Sequence, residues 1–332
     1  MQSQSSSDAP AETGSLLDVS GLVTQFETYR GTVEALDEVE LDVGDNEIVG
    51  IVGESGCGKS VTVRSILRLV REPGRIVGGE VNYKGRNLLD LTESEMRNEI
   101  RGNEIAMIFQ NPTNALNPAY EVGEQIAEVA REIRDIPREE ARELAVELMN
   151  DVGIPQAEER YENYPYEFSG GMKQRVLIAK SLACQPELLI ADEPTTALDK
   201  TTEAQLLDLI DDMRDEYGLS VLIITHDLRV ISRLCDRVVV MYAGQTAEVG
   251  ATREVIKNPT HPYTKGLVEA IPRIGTDQSD LESIEGTVMD LVDPNEGCRF
   301  YDRCPLSTEH CRDNRPRLEE KRPDHYAACF EV

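Results

Sequence analysis

Residues Gly53-Glu54-Ser55-Gly56-Cys57-Gly58-Lys59-Ser60 fit the pattern G-x-x-x-x-G-K-[ST], and their flanks constrain the fold more than any other stretch of the chain. An apolar run from Glu47 to Val52 leads in, and helical periodicity from Ser60 to Val70 leads out, so the segment reads as strand, loop and helix. The glycines let successive backbone N–H groups curl around a phosphate at the helix start. Lys59 neutralises the terminal oxygens, Ser60 offers an oxygen to Mg²⁺, and Val61 completes the segment that would wrap a nucleotide.

Two more apolar runs, Leu188 to Asp192 and Val221 to Thr225, have the texture of parallel strands buried on both faces. Each ends in candidate chemistry at the carboxyl end of a strand, where open α/β sheets hold their ligands. Asp192 suits a Mg²⁺ site, because magnesium keeps its waters and takes few protein carboxylates. Glu193, next in line, is placed to polarise an attacking water. His226 closes the second run and either hydrogen-bonds a terminal phosphate or is simply structural. Helices between the runs make the fold α/β.

Residues 1–14 hold Ser, Gln, Ala and acid, with too little apolar content to offset ordering entropy, and read as a disordered tail. From Leu16 to Val43, two Val/Leu/Thr-rich runs flank Tyr29-Arg30-Gly31 and predict an antiparallel hairpin. A further strand pattern, Glu104 to Phe109, precedes a polar loop with Asn111-Pro112 and Asn117-Pro118. Then Val122, Ile126, Val129 and Ile133, followed by Leu144, Leu148 and Val152, recur at helical spacing, with Pro137 opening the second helix. This predicts a helical insert over about 111–168. The Pro-rich stretch near Asn258 marks a boundary, and 258–332 reads as a separate, irregular appendage.

The 332 residues include 62 acidic and 34 basic ones, a net charge of −28, which is the wrong sign for a nucleic-acid binder. Only 8 of the basic residues are lysine and tryptophan is absent, a bias that reads as adaptation to concentrated salt, with a merely acidic protein as the alternative. No apolar run reaches 18 residues, and the first segment has neither the basic start nor the apolar stretch of a signal peptide, so the expectation is a soluble chain that is not secreted. In such a reducing compartment the seven cysteines are not expected to pair.

The segment Phe168-Ser169-Gly170-Gly171-Met172-Lys173-Gln174-Arg175 resembles the signature of ABC ATPases. The resemblance spans roughly residues 15–257. It implies a P-loop NTPase core of ABC type with an antiparallel β subdomain, a helical insert and, here, a small cysteine-containing C-terminal extension. In that family two ATPase domains sandwich two ATP molecules, each held by one domain's phosphate loop and by the other's signature, here Ser169, Gly170, Gly171 and Gln174. The physics is sound, because Ser169 can cap the helix while the glycine N–H groups face a phosphate. Phe168 stands where leucine is usual and is expected to pack inward. The resemblance further implies catalytic roles for Glu193, His226 and Gln110, a Mg²⁺ site at Ser60, Gln110 and Asp192, and a dimer-contact loop at Ala197-Leu198-Asp199. Tyr29, with Phe26 as competitor, matches the aromatic that stacks on adenine.

Asn258-Pro259-Thr260-His261-Pro262-Tyr263-Thr264 resembles the segment that follows the core in the oligopeptide and dipeptide import subfamily. That implies a peripheral subunit on the cytoplasmic face of the cell membrane. It would dock on two permease subunits, beside a second ATPase of the same or a different kind, and be fed by an extracellular solute-binding protein. Peptides are the implied cargo. Sugar, nickel, and a soluble ABC ATPase outside transport are the alternatives. Cys298, Cys304, Cys311 and Cys329, spaced x5, x6 and x17, lack the Cys-x2-Cys pairs of common metal sites. Zinc, with His310 or His325 as occasional ligands, an iron–sulfur cluster, and free thiols all stay open. The resemblance implies a [4Fe–4S] cluster. Cys57, Cys184 and Cys235 read as ordinary small residues.

Overall fold

The structure is a computed structural model that describes residues 15–110, 115–196, 198–270 and 284–332. The strands are β1 (Leu17–Thr28), β2 (Gly31–Val43), β3 (Ile48–Val52), β4 (Gly74–Tyr83), β5 (Arg86–Asn87), β6 (Ile105–Ile108), β7 (Leu188–Asp192), β8 (Ser220–Thr225), β9 (Arg237–Tyr242), β10 (Gln245–Ala251), β11 (Glu319–Arg322) and β12 (His325–Ala327). The main helices are α1 (Lys59–Ile66), α2 (Val122–Arg134), α3 (Arg138–Asp151), α4 (Gly170–Leu182), α5 (Lys200–Tyr217), α6 (Leu228–Leu234), α7 (Thr252–Lys257) and α8 (Pro262–Glu269).

The expected hairpin forms as β1 and β2, closing at Thr28 opposite Gly31. It belongs to a four-stranded antiparallel sheet in the order β2-β1-β4-β5. A second, eight-stranded sheet runs β11-β12-β10-β9-β3-β8-β7-β6. Every residue of β3, β7 and β8 is buried, as their unbroken apolar runs require. β8 lies between β3 and β7, with Val52 opposite Thr225 and Asp192 opposite Ile224. The phosphate loop, the Asp192-Glu193 pair and His226 therefore leave the sheet at one edge.

In the insert, α2 buries Val122, Ile126, Ala127 and Ala130, and α3 buries Ala141, Ala145, Leu148 and Met149. These stripes at three- and four-residue spacing join the same apolar core as α4 and β7. Pro137 sits one residue earlier than a first helical position, at the N-cap of α3. Among the described residues no helix is long and apolar enough to cross a membrane.

The C-terminal region departs from the expectation of a separate, irregular appendage. Strands β11 and β12 lengthen the main sheet, with Ala327 paired to Glu248 of β10. Glu248 is completely buried, and its carboxylate accepts the Thr260 and His261 N–H groups at 2.8 Å and meets His325 Nε2 at 2.6 Å. A buried carboxylate is tolerable only with such partners, so Glu248 welds the start of α8 and strand β12 to the core. His261 caps α8 in turn, its Nδ1 accepting the Tyr263 N–H at 3.0 Å.

Candidate nucleotide site

Helix α1 begins behind Gly58, which lies at φ 106° and supplies no side-chain cap, leaving the first-turn N–H groups open to an anion. A Cβ on Gly58 would also sit 2.8 Å from the Ala35 carbonyl, so only glycine serves there. Lys59, 6% exposed, curls back so that its ammonium donates to the carbonyls of Gly53 at 2.8 Å and Glu54 at 3.0 Å. Cys57 packs fully buried beneath the loop, and burial pushes its thiol up, which leaves the group inert.

Ser60 Oγ donates to Asp192 Oδ1 at 2.9 Å. Asp192 is 1% exposed, and its Oδ2 has no hydrogen-bond partner among the described residues. Burial raises this carboxyl above the usual aspartate range, and the Ser60 hydrogen bond opposes the rise. An orphaned buried oxygen beside a hydroxyl fits a hydrated Mg²⁺, which would satisfy Oδ2 through its own ligands.

Glu193 holds a left-handed backbone at φ 48°, strained for a non-glycine residue, and its N–H is pinned to the Ile224 carbonyl at 2.9 Å. Gln110 Nε2 and Thr196 Oγ1 both donate to Glu193 Oε2 at 2.9 Å, and His226 Nδ1 lies 3.3 Å from Oε1. Burial works to raise the Glu193 carboxyl, but hydrogen bonds from Thr196 and His226, the His226 interaction and Gln110 hold it below the ordinary range. The carboxylate is thus ionised and fully occupied. Of its partners, Thr196 was not singled out in the sequence, because a threonine three residues beyond a glutamate carries no signal by itself.

The other expected positions lie at several separate places, some exposed and some packed inward. Tyr29 is 99% exposed at the tip of the β1–β2 hairpin, whereas Phe26 is half-buried. Phe168 packs inward at 3% exposed, as expected. Ser169 caps α4 by accepting the Met172 N–H at 3.3 Å, and Ser169 and Gly170 stand exposed. Asp199 caps α5 by accepting the Thr201 and Thr202 N–H groups at 3.0 Å. Ala197 lies outside the described residues. Val61 is half-buried in the first turn of α1.

Gln174 and Glu54, both expected at the nucleotide, have protein partners in this structure. Gln174 is 2% exposed and its amide donates to the Pro194 carbonyl at 2.6 Å, so it braces α4 against the end of β7 instead of facing a nucleotide on a partner. The position falls one turn past Gly170, on the side of α4 that meets the core. Glu54 has its N–H bound to the Tyr263 hydroxyl at 2.9 Å and its carboxylate on Arg303, so neither group is free for phosphate.

The four late cysteines come together: Cys298, Cys304, Cys311 and Cys329 line one small cavity with His261 and Phe300. Burial raises the Cys298 thiol to about 11 and pushes Cys304 and Cys329 up as well, so these are neutral thiols as they stand. The histidine ligands considered for zinc do not belong to this cavity. His325 is committed to Glu248, and His310 is exposed, with its ring 4.5 Å from that of Phe330. Among the described residues no three His, Cys, Asp or Glu side chains are arranged to hold a metal ion.

The chain as a whole has close counterparts among known proteins. A profile described as ABC transporter matches residues 36–196, and one described as oligopeptide/dipeptide transporter, C-terminal region, matches residues 247–311. A probable peptide ABC transporter ATP-binding protein of Sinorhizobium fredii is 51% identical over 317 residues, covering 95% of this chain and 94% of the relative. This chain belongs to the ABC transporter ATP-binding proteins. The oligopeptide transport ATP-binding protein OppD of Salmonella typhimurium is 43% identical, with 99% of this chain and 97% of that protein covered. The dipeptide transport ATP-binding protein DppD of Bacillus subtilis is also 43% identical, with 95% and 94% covered. Among solved structures, a dimeric bacterial ABC transporter cassette superposes with a TM-score of 0.63 at 28% identity, covering 71% of this chain and 99% of its own. As an ABC ATPase, this chain binds ATP and hydrolyses it.

Proposed function

We propose that this ABC ATPase energises a membrane importer for di- or oligopeptides, working as one of a pair on the cytoplasmic face of the cell membrane. The observation that carries the reading is the convergence of Lys59, Ser60, Asp192, Gln110, Glu193 and His226 on one sheet edge. The peptide assignment is supported by relatives named for peptide, oligopeptide and dipeptide transport. Sugar or nickel as cargo, and a soluble role outside transport, have no comparable support.

Bound Mg-ATP would supply the phosphoryl group and the metal charge that stabilises its transfer. Lys59 would leave the Gly53 and Glu54 carbonyls for phosphate oxygens, and Ser60 and Asp192 are the residues that would hold the ion. Glu193 orients the attacking water once Gln110 and His226, both now resting on its carboxylate, turn toward nucleotide. Tyr29, exposed at its hairpin tip, offers a ring to adenine. Ser169 and Gly170 present the open end of α4 outward, toward the ATP of a second ATPase, with Leu198 and Asp199 beside that seam. A permease loop docks near Gln110, in an apolar groove of about 490 Å³ lined by Phe109, Ala115, Val129 and Leu177.

The cysteine cavity is the proposed seat of a [4Fe–4S] cluster. Four thiols lining one cavity supply the four cysteine donors that such a cluster takes, although as they stand no three of them are arranged to hold a metal ion. The present cavity, about 10 Å³, holds one water-sized sphere, so the thiols must spread to admit a cofactor. The surplus of acid reads as adaptation to concentrated salt; thermal stability that rises steadily into molar salt supports this, and full stability in dilute buffer refutes it.

Reconstitution tests the function. Vesicles carrying the chain with its permeases and binding protein take up labelled oligopeptide on ATP addition. Uptake of sugar or nickel but not peptide overturns the cargo.

A further inference from the structure

We infer that Arg303 and Tyr263, both outside the loop motif and in the C-terminal region, are positioning residues for nucleotide binding, Arg303 holding the Glu54 carboxylate turned away from the phosphates and Tyr263 anchoring the loop backbone at the Glu54 N–H. The inference rests on reading Gly53–Ser60 as the ATP loop. Glu54 is the second residue of that loop, and all three of its polar groups are engaged. Its carbonyl accepts from Lys59 at 3.0 Å, its N–H donates to the Tyr263 hydroxyl at 2.9 Å, and its carboxylate takes the Arg303 guanidinium as a two-point fork at 2.7 and 3.0 Å.

The clamp is built to stay. The Arg303 side chain is 6% exposed and that of Glu54 27%, so solvent screens the pair weakly. On its other sides Arg303 donates to the carbonyls of Glu285 at 3.0 Å and Ile284 at 3.1 Å and to the Tyr242 hydroxyl at 3.3 Å. Tyr263 is fully buried, with its ring 4.6 Å from that of Tyr242 and 5.6 Å from that of Phe300. A second tie runs from the Gly244 N–H to the Cys57 carbonyl at 2.9 Å. The loop that must wrap a polyanion is thus fixed from below by the extension, through Tyr263 and Arg303, and by the β9–β10 turn of the core, through Gly244.

Charge explains the need. A carboxylate on a phosphate-wrapping loop, if free to rotate, repels the triphosphate that the loop exists to bind. Arg303 neutralises that carboxylate and fixes its direction, and the Tyr263 hydroxyl satisfies an N–H that would otherwise point into the protein unpaired. Lys59, bound to the Gly53 and Glu54 carbonyls, must change partners when phosphate arrives. This gives the C-terminal region a direct part in ATP affinity.

Equilibrium binding of ATP, ADP and AMP to the full-length chain tests the assignment. Arg303→Ala weakens ATP about tenfold, as expected when one member of a shielded ion pair leaves the other uncompensated. The loss shrinks from ATP to ADP to AMP, and adding Glu54→Gln to Arg303→Ala restores ATP affinity to within about twofold of the original chain. Should Arg303→Ala fail to fold, Arg303→Lys and Tyr263→Phe carry the test, each weakening ATP more than AMP. Unchanged ATP affinity in these variants, an equal loss for all three nucleotides, or no rescue by Glu54→Gln overturns the inference. If Lys59→Ala also leaves ATP binding intact, the loop reading itself has failed; if Lys59→Ala abolishes binding while Arg303→Ala does nothing, only this inference has.

Discussion

Ser60 and Asp192 share one hydrogen bond of 2.9 Å, and the second oxygen of that aspartate is buried with no partner among the described residues. An unsatisfied buried carboxylate oxygen costs about 1–3 kcal/mol or more, and a bound ion with its waters repays it. Asp192→Asn therefore lowers Mg²⁺-dependent ATP turnover by about a hundredfold, and chelating Mg²⁺ abolishes turnover of the original chain. Steady-state ATPase assays across Mg²⁺ concentrations check this. Turnover in Asp192→Asn equal to that of the original chain rules out the metal role.

His261 sets a pH limit on stability. Burial lowers its pKa to about 4, against an ordinary value of 6.5, so the folded chain holds it neutral while the unfolded chain takes up a proton. Its contribution is complete above about pH 6.5, declines as pH falls between 6.5 and 4, and changes no further below that. The loss over this window is about 3 kcal/mol. Urea unfolding of the original chain and of His261→Asn between pH 4 and 8 measures it; the variant keeps a capping oxygen and shows a shallower slope. Equal slopes in the two proteins contradict the account.

Much of the core was legible because burial on both faces forces unbroken apolar runs. β3, β7 and β8 stand out for that reason, and the β1–β2 hairpin stands out through its Val/Leu/Thr flanks around Tyr29-Arg30-Gly31. The candidate nucleotide residues stand out too, since Asp192, Glu193 and His226 lie at the ends of such runs and Lys59 closes the glycine-rich loop that follows another. What escaped notice depends on distant partners. β11 is Glu-Glu-Lys-Arg and β12 is His-Tyr-Ala, neither of which reads as a strand until β10 pairs with β12 and β12 with β11. The Arg303–Glu54 pair joins residues 249 apart, and Gln174 is decided by a backbone carbonyl at Pro194. No local pattern encodes either contact.

The cysteine cavity makes a chemical prediction. Protein purified without oxygen carries iron and sulfide, absorbs in the visible, and loses both in Cys311→Ser. Because burial holds Cys298, Cys304 and Cys329 as neutral thiols, loading releases protons and proceeds more readily as pH rises. A colourless preparation with one zinc per chain contradicts the cluster assignment.

The central claim is that Glu193, held among Gln110, Thr196 and His226, orients the water that attacks bound ATP. ATP turnover by Glu193→Gln, measured beside ATP binding in the complex with its permeases, tests this most directly. The account predicts retained binding with turnover reduced about a hundredfold or more. Turnover within about twofold of the original complex at equal ATP occupancy would contradict it.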